Sequence, residues 1–371
     1  MKIERIECDV VVIGAGVIGL AIADKLSALH SVVVVESHEK FGKETSSRNS
    51  EVIHSGIYYP AASKKTEMCI RGRELLYDFC KHYSVPFAKT GKFVVATDEY
   101  EVDYLDQLEV HCKSLSVPCE RKTREQVAQL EPLIKAFEAI YLPETGIIDS
   151  HSFMAALERF ILDAEGIVAY RHQVKSIVKD DLSWLVSTET PNGPQQIKCA
   201  KVINAAGLAA AELSNRTFQV NRYQHKFCRG RYFGLSGKYQ GQFRHLIYPV
   251  PPPDGLGIHV TIDLDGFARL GPDVDWVSVE QYEELESVYD CEWNELRPVF
   301  ARSVNRYCPS IASQELAPGL IGVRPKLFVN QKAHPDFLIE NKEGYIHCLG
   351  IESPGLTASL MIAETVAKMV G

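Results

Sequence analysis

The sequence has little of what marks several large protein classes. Its ten cysteines include no CxxC pair, its twelve histidines show no HExxH spacing, and no GxSxG motif occurs. These absences leave no sign of a metal site or of a serine nucleophile. Cysteines scattered in this way predict buried free thiols and a reducing compartment. With a net charge of −8, the chain also lacks the basic footprint of a nucleic-acid-binding protein.

Long apolar runs are missing as well. The first residues, from Met1 to Arg5, carry charges of both signs and lack the apolar core of a signal peptide. The run at residues 10–23 is interrupted by three glycines, and it is shorter than the roughly 20 apolar residues of a membrane span. We therefore expect a cytoplasmic protein, with peripheral contact to a membrane surface as an open alternative.

The composition that is present is that of an ordinary globular protein, with 46% hydrophobic and 24% charged residues in a chain of 371. A chain of this length exceeds the roughly 250 to 300 residues at which single cores usually divide. We therefore expect two domains in one body.

The N-terminal pattern predicts a β-α-β unit. An apolar, β-branched run at residues 9–13 ends in glycines, and residues 17–29 have the apolar spacing of a helix. A second valine run at 32–35 ends in Glu36. Such a unit implies a parallel strand pair with a right-handed crossover.

Along the rest of the chain, segments with strand-and-helix patterns like the N-terminal unit alternate with segments that are richer in predicted β-strand. The sequence first predicts an ordered polar loop at 45–59, helices at 64–83 and 100–116, a turn at 143–146, a helix at 151–164 capped by Ser150, and a strand at 201–207. Over 222–318 it predicts short antiparallel β segments with proline and glycine (249–253, 255–257). A final strand (345–349), loop (350–355) and helix (357–370) follow. We therefore predict an α/β (α+β) fold, in which a Rossmann-like nucleotide-binding domain is assembled from separated segments and joined by an antiparallel-sheet substrate domain. The first domain comprises 1–85, 147–218 and 319–371, and the second comprises 86–146 and 219–318.

The glycine turn after the first strand carries the first chemical signal. Gly14 allows the tight bend, Gly16 lets the backbone approach a pyrophosphate, and Gly19 permits close packing of helix and strand. The helix N-terminus adds free N–H groups and partial positive charge for phosphates. Glu36, 22 residues after Gly14, is placed to accept hydrogen bonds from a ribose, which argues against a ribose 2′-phosphate. NAD and FAD both remain possible at this point.

Further motifs separate the two dinucleotides. The segment TSSRNSEVIHSGIYYP at 45–60 resembles the loop of the D-amino-acid-oxidase-like flavoproteins that runs along FAD, with Glu51 where that family usually has glycine. NAAG (204–207), IYPVP (247–251), GIHVT (257–261), GVRPKL (322–327) and GIESPGLTAS (350–359) follow in the family's order. The resemblance implies an FAD enzyme, and within the superfamily it is strongest to the L-2-hydroxyglutarate dehydrogenases and oxidases.

That resemblance also implies which residues contact the cofactor. They are Gly14, Gly16, Val17, Ile18, Gly19, Glu36, Thr45, Ser46, Ser47, Arg48, Asn49, His54, Val174, Ala205, Ala206, Gly207, Arg324, Gly350, Glu352, Ser353, Pro354, Gly355, Leu356 and Thr357. A helix beginning near Thr357 would direct its N-terminus towards the edge of the flavin where negative charge collects on reduction.

Oxidation of a 2-hydroxy acid by a flavin requires a cation for the carboxylate and a base for the hydroxyl proton. Arg324 is our candidate for the carboxylate, because a guanidinium can meet it with two parallel hydrogen bonds. Lys326 could hold a second carboxylate. We prefer His259 as the base and assign a flavin contact to His54, since histidine titrates near neutrality. Tyr59, Arg231 and Tyr232 are further pocket candidates.

The leading hypothesis is thus FAD-dependent oxidation of a small 2-hydroxy acid, with L-2-hydroxyglutarate first, by hydride transfer to the flavin. Electrons would leave to oxygen or to a quinone. An amine or amino-acid oxidase, acting on glycine or on D-amino acids, would use the same arginine. A nicotinamide-binding or non-catalytic nucleotide-binding protein would use only the first glycine turn.

Overall fold

The structure is a computed structural model that describes residues 4–251, 257–279 and 282–371. The predicted proline and glycine positions at 252–256 lie outside the described residues. The strands are β1 (Glu4–Ile13), β2 (Val32–Glu36), β3 (Val52–Ile53), β4 (Phe87–Ala88), β5 (Lys92–Ala96), β6 (Glu120–Thr123), β7 (Glu138–Leu142), β8 (Gly146–Ile148), β9 (Ile167–Tyr170), β10 (Gln173–Asp180), β11 (Ser183–Thr190), β12 (Gly193–Asn204), β13 (Tyr223–Leu235), β14 (Leu246–Pro249), β15 (His259–Ile262), β16 (Ala268–Gly271), β17 (Asp275–Trp276), β18 (Leu316–Val329), β19 (Lys332–Ala333), β20 (Leu338–Lys342) and β21 (Tyr345–Leu349). The helices are α1 (Val17–Ser27), α2 (Lys64–Tyr83), α3 (Val102–Ser114), α4 (Arg124–Leu130), α5 (Ser150–Asp163), α6 (Ala210–Phe218), α7 (Trp293–Val304) and α8 (Gly355–Val370).

The first sheet confirms the predicted nucleotide-binding architecture. It has eight strands in the order β10-β11-β12-β1-β2-β9, and β21 pairs with β12 while β20 pairs with β21. β1 lies between β2 and β12, and both neighbours run parallel to it. One face of this sheet packs against α1, α5 and α8 in the largest apolar core. The carboxyl ends of β1, β2 and β12 therefore open at one edge, where open α/β sheets bind ligands.

The second sheet forms the other half of the molecule. Its ten strands follow the order β19-β18-β13-β16-β15-β14-β5-β7-β6, with β17 paired to β13. The pairing of β5 with β14 is parallel, and the other pairings are antiparallel. A third, short sheet has the strand order β3-β8-β4. The prediction of α/β and antiparallel parts built from separated segments is confirmed.

Several local expectations need correction. The region 222–318 is not made only of short strands, because it contains α7 and the long strand β13 of 13 residues. The cap of α5 is Asp149, whose carboxylate accepts from the Ser152 N–H, whereas Ser150 is the first helical residue. The last helix begins at Gly355, two residues earlier than expected.

The domain limits by residue number remain a proposal. The suggested boundary between 318 and 319 falls inside β18, which belongs to the second sheet, and that between 146 and 147 falls inside β8. Both of these suggested limits therefore divide a single strand. No helix within the described ranges combines the length and the hydropathy of a membrane span. All ten cysteines are unpaired; seven are buried, and Cys8, Cys119 and Cys291 are half-buried.

Candidate active site

A large cavity of about 1020 Å³ runs between the two main sheets and is lined by most of the predicted residues. At one end it is lined by the edge of the first sheet, with the turns after β1, β2 and β12. At the other end it is lined by β18 and by residues of β13, β14 and β15. The cavity thus joins a dinucleotide-type edge to a β-walled pocket.

The glycine turn after β1 is shaped as the sequence predicts. Gly14 has a φ of +99°, and a Cβ there would lie 2.5 Å from the carbonyl oxygen of Ala205. A Cβ on Gly19 would collide with the carbonyl of Gly14, so both glycines are needed for the turn to close. The first turn of α1 has no capping side chain and no acidic residue. Apart from the Val17 N–H, which donates to Ser46 Oγ, this N-terminus can face a pyrophosphate.

Glu36 closes β2 at the same edge and lines the cavity. One carboxylate oxygen accepts from the backbone N–H of Ala15 at 2.8 Å, and the other accepts from the N–H of His38 at 2.8 Å. These bonds fix the carboxylate beside the glycine turn. Oε1 also accepts from the Ser37 hydroxyl at 3.2 Å, whereas Oε2 keeps a further lone pair, so the group can still accept from a ribose hydroxyl.

The polar loop after residue 44 bridges the two halves. Ser46 Oγ accepts from the backbone N–H of Val17 at 3.0 Å, at the start of α1. Thr45 Oγ1 donates to the carbonyl of Val323 on β18 at 3.2 Å. The guanidinium of Arg48 lies 4.2 Å from the ring centroid of Tyr289. The loop is ordered by these contacts, as expected from its polar composition.

The residue at position 51 departs from the family pattern without disturbing this loop. Glu51 has a φ of +58°, the left-handed region that a glycine would occupy without strain. Its carboxylate accepts from the backbone N–H of Ser150 at 3.2 Å and from the Ser150 hydroxyl at 2.8 Å. The side chain thus ties the loop to the first turn of α5, which a glycine could not do.

The C-terminal loop forms another wall. Gly350, Glu352, Ser353 and Pro354 line the cavity, and α8 begins immediately after them with no side-chain cap and no acid in its first turn. Thr357 is buried and does not line the cavity itself. Its Oγ1 accepts from the backbone N–H of His54 at 3.0 Å. The helix N-terminus and the His54 loop are therefore held together.

His54 and Tyr59 meet the C-terminal loop at one residue. The Nε2 atom of His54 lies 3.3 Å from Ser353 Oγ, and Tyr59 donates its hydroxyl to the Ser353 carbonyl at 2.9 Å. Burial, and secondarily the charge of Lys92, lowers the pKa of His54 to about 3. His54 is therefore neutral at physiological pH and is a weak base in the ligand-free protein.

Arg324 lines the β-walled end of the cavity and is half-buried. Its Nη2 donates to the carbonyl of Asp273 at 3.0 Å and to that of Arg229 at 3.4 Å. Backbone carbonyls thus orient the guanidinium without neutralising its charge. By contrast, Arg231 points away from the cavity lining and is paired with the carboxylate of Asp273 at 2.6 Å. The structure therefore does not bring Arg231 into the cavity lining, and its role as a pocket residue stays a prediction.

A cluster of three charges forms the wall next to Arg324. Glu352 Oε1 accepts from Lys65 Nζ at 3.0 Å and from Lys326 Nζ at 2.7 Å. Burial would raise the pKa of Glu352, but the two ammonium groups lower it below its ordinary value. Two cations therefore share one carboxylate, which leaves one positive charge in excess at the cavity wall. Lys65 and Glu352 are buried, whereas the side chain of Lys326 is 36% exposed.

His259 is buried in the opposite wall. Its imidazole stacks on the ring of Tyr248, with centroids 3.5 Å apart and planes at 10°. The register that pairs Ile247 with Val260 sets these two residues opposite each other on β14 and β15. Both line the cavity, as does Tyr232. The stack fixes the plane of the candidate base.

The structure brings together most, but not all, of the predicted residues. Gly19, Ser47, Arg231 and Thr357 are absent from the cavity lining among the described residues. Lys65, Tyr58 and Tyr248 line it and were not predicted as site residues. Tyr58 and Tyr248 lie inside the quoted motifs and could have been found there. Lys65 belongs to the first turn of α2, and nothing in the local sequence signals its role.

Comparisons with known proteins agree with this geometry. The family model for FAD dependent oxidoreductases matches residues 9–369. The mitochondrial L-2-hydroxyglutarate dehydrogenase of Arabidopsis thaliana is 36% identical over 408 aligned residues, covering 98% of this chain and 83% of the relative. The L-2-hydroxyglutarate dehydrogenase of Escherichia coli K12 is 25% identical over 394 residues, covering 98% and 93%.

Two solved structures share the fold. The L-α-glycerophosphate oxidase of Mycoplasma pneumoniae, solved with FAD bound, has a TM-score of 0.87 at 24% identity and covers 98% of this chain and 94% of its own. The glycine oxidase of Geobacillus kaustophilus has a TM-score of 0.82 at 17% identity, with coverages of 98% and 94%.

Proposed function

We propose, from the premise that the chain belongs to the family of FAD-dependent oxidoreductases, that it oxidises L-2-hydroxyglutarate to 2-oxoglutarate. One observation carries the choice of substrate. Arg324 and Lys326 are alternate residues of β18, so they share a face of the strand, and both line the cavity. Alternate residues of a strand lie about 6.6 Å apart, and the two carboxyl carbons of an extended five-carbon diacid are about 5 Å apart, from C–C bonds of about 1.5 Å.

FAD is the cofactor of this family, as the sequence predicted, and the protein is an enzyme. The glycine turn, Glu36 and Ser46 would hold its dinucleotide part, and the loop from Gly350 to Gly355 would contact its ring. When bound, FAD supplies the acceptor for the hydride that leaves the substrate carbon. The residues of the chain have to hold the acid and remove the hydroxyl proton.

Arg324 would bind the carboxylate next to the reacting carbon, because its guanidinium is held in place by carbonyl groups and keeps its full charge. The distal carboxylate would be met by Lys326, which is the exposed member of the three-charge cluster. Lys65 can remain on Glu352 when Lys326 turns to the ligand, so no buried carboxylate is left without a cation.

His259 would accept the hydroxyl proton as the C–H bond breaks and the ketone forms. Its stacking on Tyr248 holds the imidazole in one plane, as a positioned base requires. His54, with a pKa of about 3, is a weak base and would serve as a neutral contact to the cofactor. We keep oxygen or a quinone as the electron acceptor and a cytoplasmic location as parts of the same proposal.

The decisive test is anaerobic mixing of the FAD-loaded protein with single substrates while flavin absorbance is followed. L-2-Hydroxyglutarate should bleach the flavin, and D-2-hydroxyglutarate, L-lactate, glycine and D-amino acids should do so far more slowly. Bleaching by an amino acid alone would instead identify an amino-acid oxidase. A colourless protein whose melting temperature does not respond to FAD would point to a non-catalytic role.

Two variants test the carboxylate assignment. Arg324→Ala should weaken binding of every 2-hydroxy acid by roughly 30-fold or more. Lys326→Met should weaken binding of the diacid by roughly three- to tenfold, because this lysine is partly exposed, and should leave L-lactate unaffected. Lys226→Met is the matched control, since Lys226 pairs with Lys326 in the strand ladder but is exposed outside the cavity. Equal loss for diacid and monoacid in Lys326→Met would refute a distal carboxylate subsite.

A further inference from the structure

A buried cation behind the cavity wall is not used by the function proposed above. Lys92 begins β5 and has 0% exposure. Within the described part of the chain its Nζ atom has no hydrogen-bond partner. An unpaired buried ammonium is costly, and native proteins rarely retain one without a reason.

The ammonium group is held by two aromatic rings that face the cavity. Nζ lies 4.4 Å from the ring centroid of Tyr58 and 4.6 Å from that of Tyr248. The two rings are nearly parallel, with centroids 6.4 Å apart and planes at 10°. Both tyrosines line the cavity, Tyr248 also stacks on His259, and Lys92 itself is not among the lining residues. The ammonium therefore lies behind two rings of the cavity wall.

Among the described residues, the surroundings of Lys92 offer it no compensating negative charge. The titratable groups that face it are His54 and Tyr58 from the loop after β3, Cys69 from α2, Cys112 from α3 and Tyr248 from β14, with Tyr104 of α3 next to Tyr58 and Arg73 of α2 next to Cys69. Burial raises the pKa of both thiols to about 12 and raises the pKa of both tyrosines, so all four stay neutral. For the same reason burial lowers the pKa of Lys92 to about 7.

We propose that Lys92 is a positioning residue that supplies the counter-charge for an anionic ligand in the cavity, acting through the Tyr58 and Tyr248 rings, and that it takes up a proton from solvent when that ligand binds. The proposal rests on the proposed function in taking a dicarboxylate as the ligand. Negative charge arriving in the cavity, beyond the rings that contact Lys92, stabilises the ammonium form, because Coulomb interactions are weakly screened in a buried site. The cation–π contacts hold the group in place in both states.

The sign of the pH dependence follows directly. Ligand binding raises the pKa of Lys92 from about 7, so ligand affinity is highest below pH 7 and falls as the pH rises through the raised value. Between the two values each binding event takes up part of a proton, on the order of one half at slightly alkaline pH. A lysine that only fills space would cause neither effect.

The test uses the FAD-loaded protein and 2-oxoglutarate, the product of the proposed reaction, as probe. Calorimetric titration at one pH in two buffers with different ionisation enthalpies gives the protons taken up per ligand, and flavin absorbance gives the dissociation constant from about pH 6 to 9. Lys92→Met removes the charge at similar volume, and Lys92→Gln serves as a second neutral variant. Lys179→Met is the matched control, because Lys179 lies 4.6 Å from the Trp184 ring centroid but is exposed and outside the cavity.

We expect the neutral Lys92 variants to bind the probe roughly tenfold or more weakly than wild type below pH 7, to converge with it at high pH, and to lose proton uptake. Lys179→Met should match wild type. Equal uptake and affinity in wild type and in the Lys92 variants would overturn the role of Lys92 and leave the proposed substrate standing. Absence of binding to every form of the protein would overturn both the substrate and the counter-charge role.

Discussion

Glu352→Gln should strongly lower the free energy of unfolding, although it changes only one heavy atom of the side chain. The substitution keeps the shape of the side chain but removes the negative charge that pairs with Lys65 and Lys326. Lys65 would then hold an uncompensated ammonium at 5% side-chain exposure. Removing one partner of a buried ion pair typically costs about 3 to 5 kcal/mol.

That free energy translates into a measurable change in melting temperature. With an unfolding entropy of about 2 cal/mol/K per residue, the chain of 371 residues should melt about 4 to 7 °C lower. The measurement is thermal unfolding of the FAD-loaded protein in excess FAD, so that loss of cofactor does not add to the effect. Lys326→Met is the internal control and should cost less than about 1 kcal/mol, because its ion pair is partly exposed to solvent.

A double variant separates the charge from the packing. Lys65→Met combined with Glu352→Gln removes the buried cation together with its partner, and its stability should return to within about 1 kcal/mol of wild type. The pH dependence gives a second check. The pKa of Glu352 is lowered in the folded protein, so its contribution is present above the unfolded value and is lost as the pH falls through the lowered one. A Glu352→Gln protein that melts like wild type at neutral pH would refute the reasoning.

Two other predictions concern a glycine in the first turn and the cap of α5. Gly14→Ala should yield protein with little bound FAD, because a methyl group there would lie 2.5 Å from the Ala205 carbonyl oxygen. Gly193→Ala is the control and should keep its bound FAD, because Gly193 has a similar φ but nothing within 4 Å of the added methyl group. Equal flavin content in the two purified variants would contradict this. Asp149→Ala should lower the stability by about 1 kcal/mol through loss of the α5 cap, and Asp149→Asn should lose much less. Chemical denaturation of both variants measures the difference.

The local signals of the sequence predict the nucleotide-binding half well. The valine runs, the glycine turn and the predicted helix at 64–83 reappear as β1, β2, α1 and α2, with the bounds of α2 unchanged. Each of these elements is specified by residues within a short window, through apolar period, caps and glycines. The FAD prediction rests on motif order along the chain and is confirmed by the family match.

The β-rich half is predicted less well, because its elements depend on distant partners. β13 and β18 pair along their length, and the paired residues are about a hundred positions apart in sequence, so no local pattern reveals the pairing. Helix α7 contains Pro298, and proline inside a helix is a signal against one. Asp149 and Ser150 are both good caps, so the sequence alone does not decide which of them is outside the helix.

The candidate site shows the same division. Arg324, Lys326 and His259 stand in motifs and lie in the cavity as expected, although their roles remain predictions. Lys65 and Lys92 come from other parts of the chain and reach the site only through tertiary packing. Arg231 stands beside Tyr232 in β13 and looks equally suitable in sequence, but neighbouring strand residues point to opposite faces and its partner is Asp273.

Strand β18 has a consequence for how the two ligands of the enzyme affect each other. It carries Arg324 and Lys326 on one face, and its carbonyl groups at Ile321 and Val323 accept from Arg48 and Thr45 of the dinucleotide loop. If FAD holds that loop, the same hydrogen bonds also hold the strand that presents the two cations. In that case the two binding equilibria would be linked, and each ligand would change the affinity for the other by the same factor. A one-residue shift in the register of β18 would turn both cations to the opposite face of the sheet together. Only a shift by two residues would keep the recognition side chains of this strand on the same face.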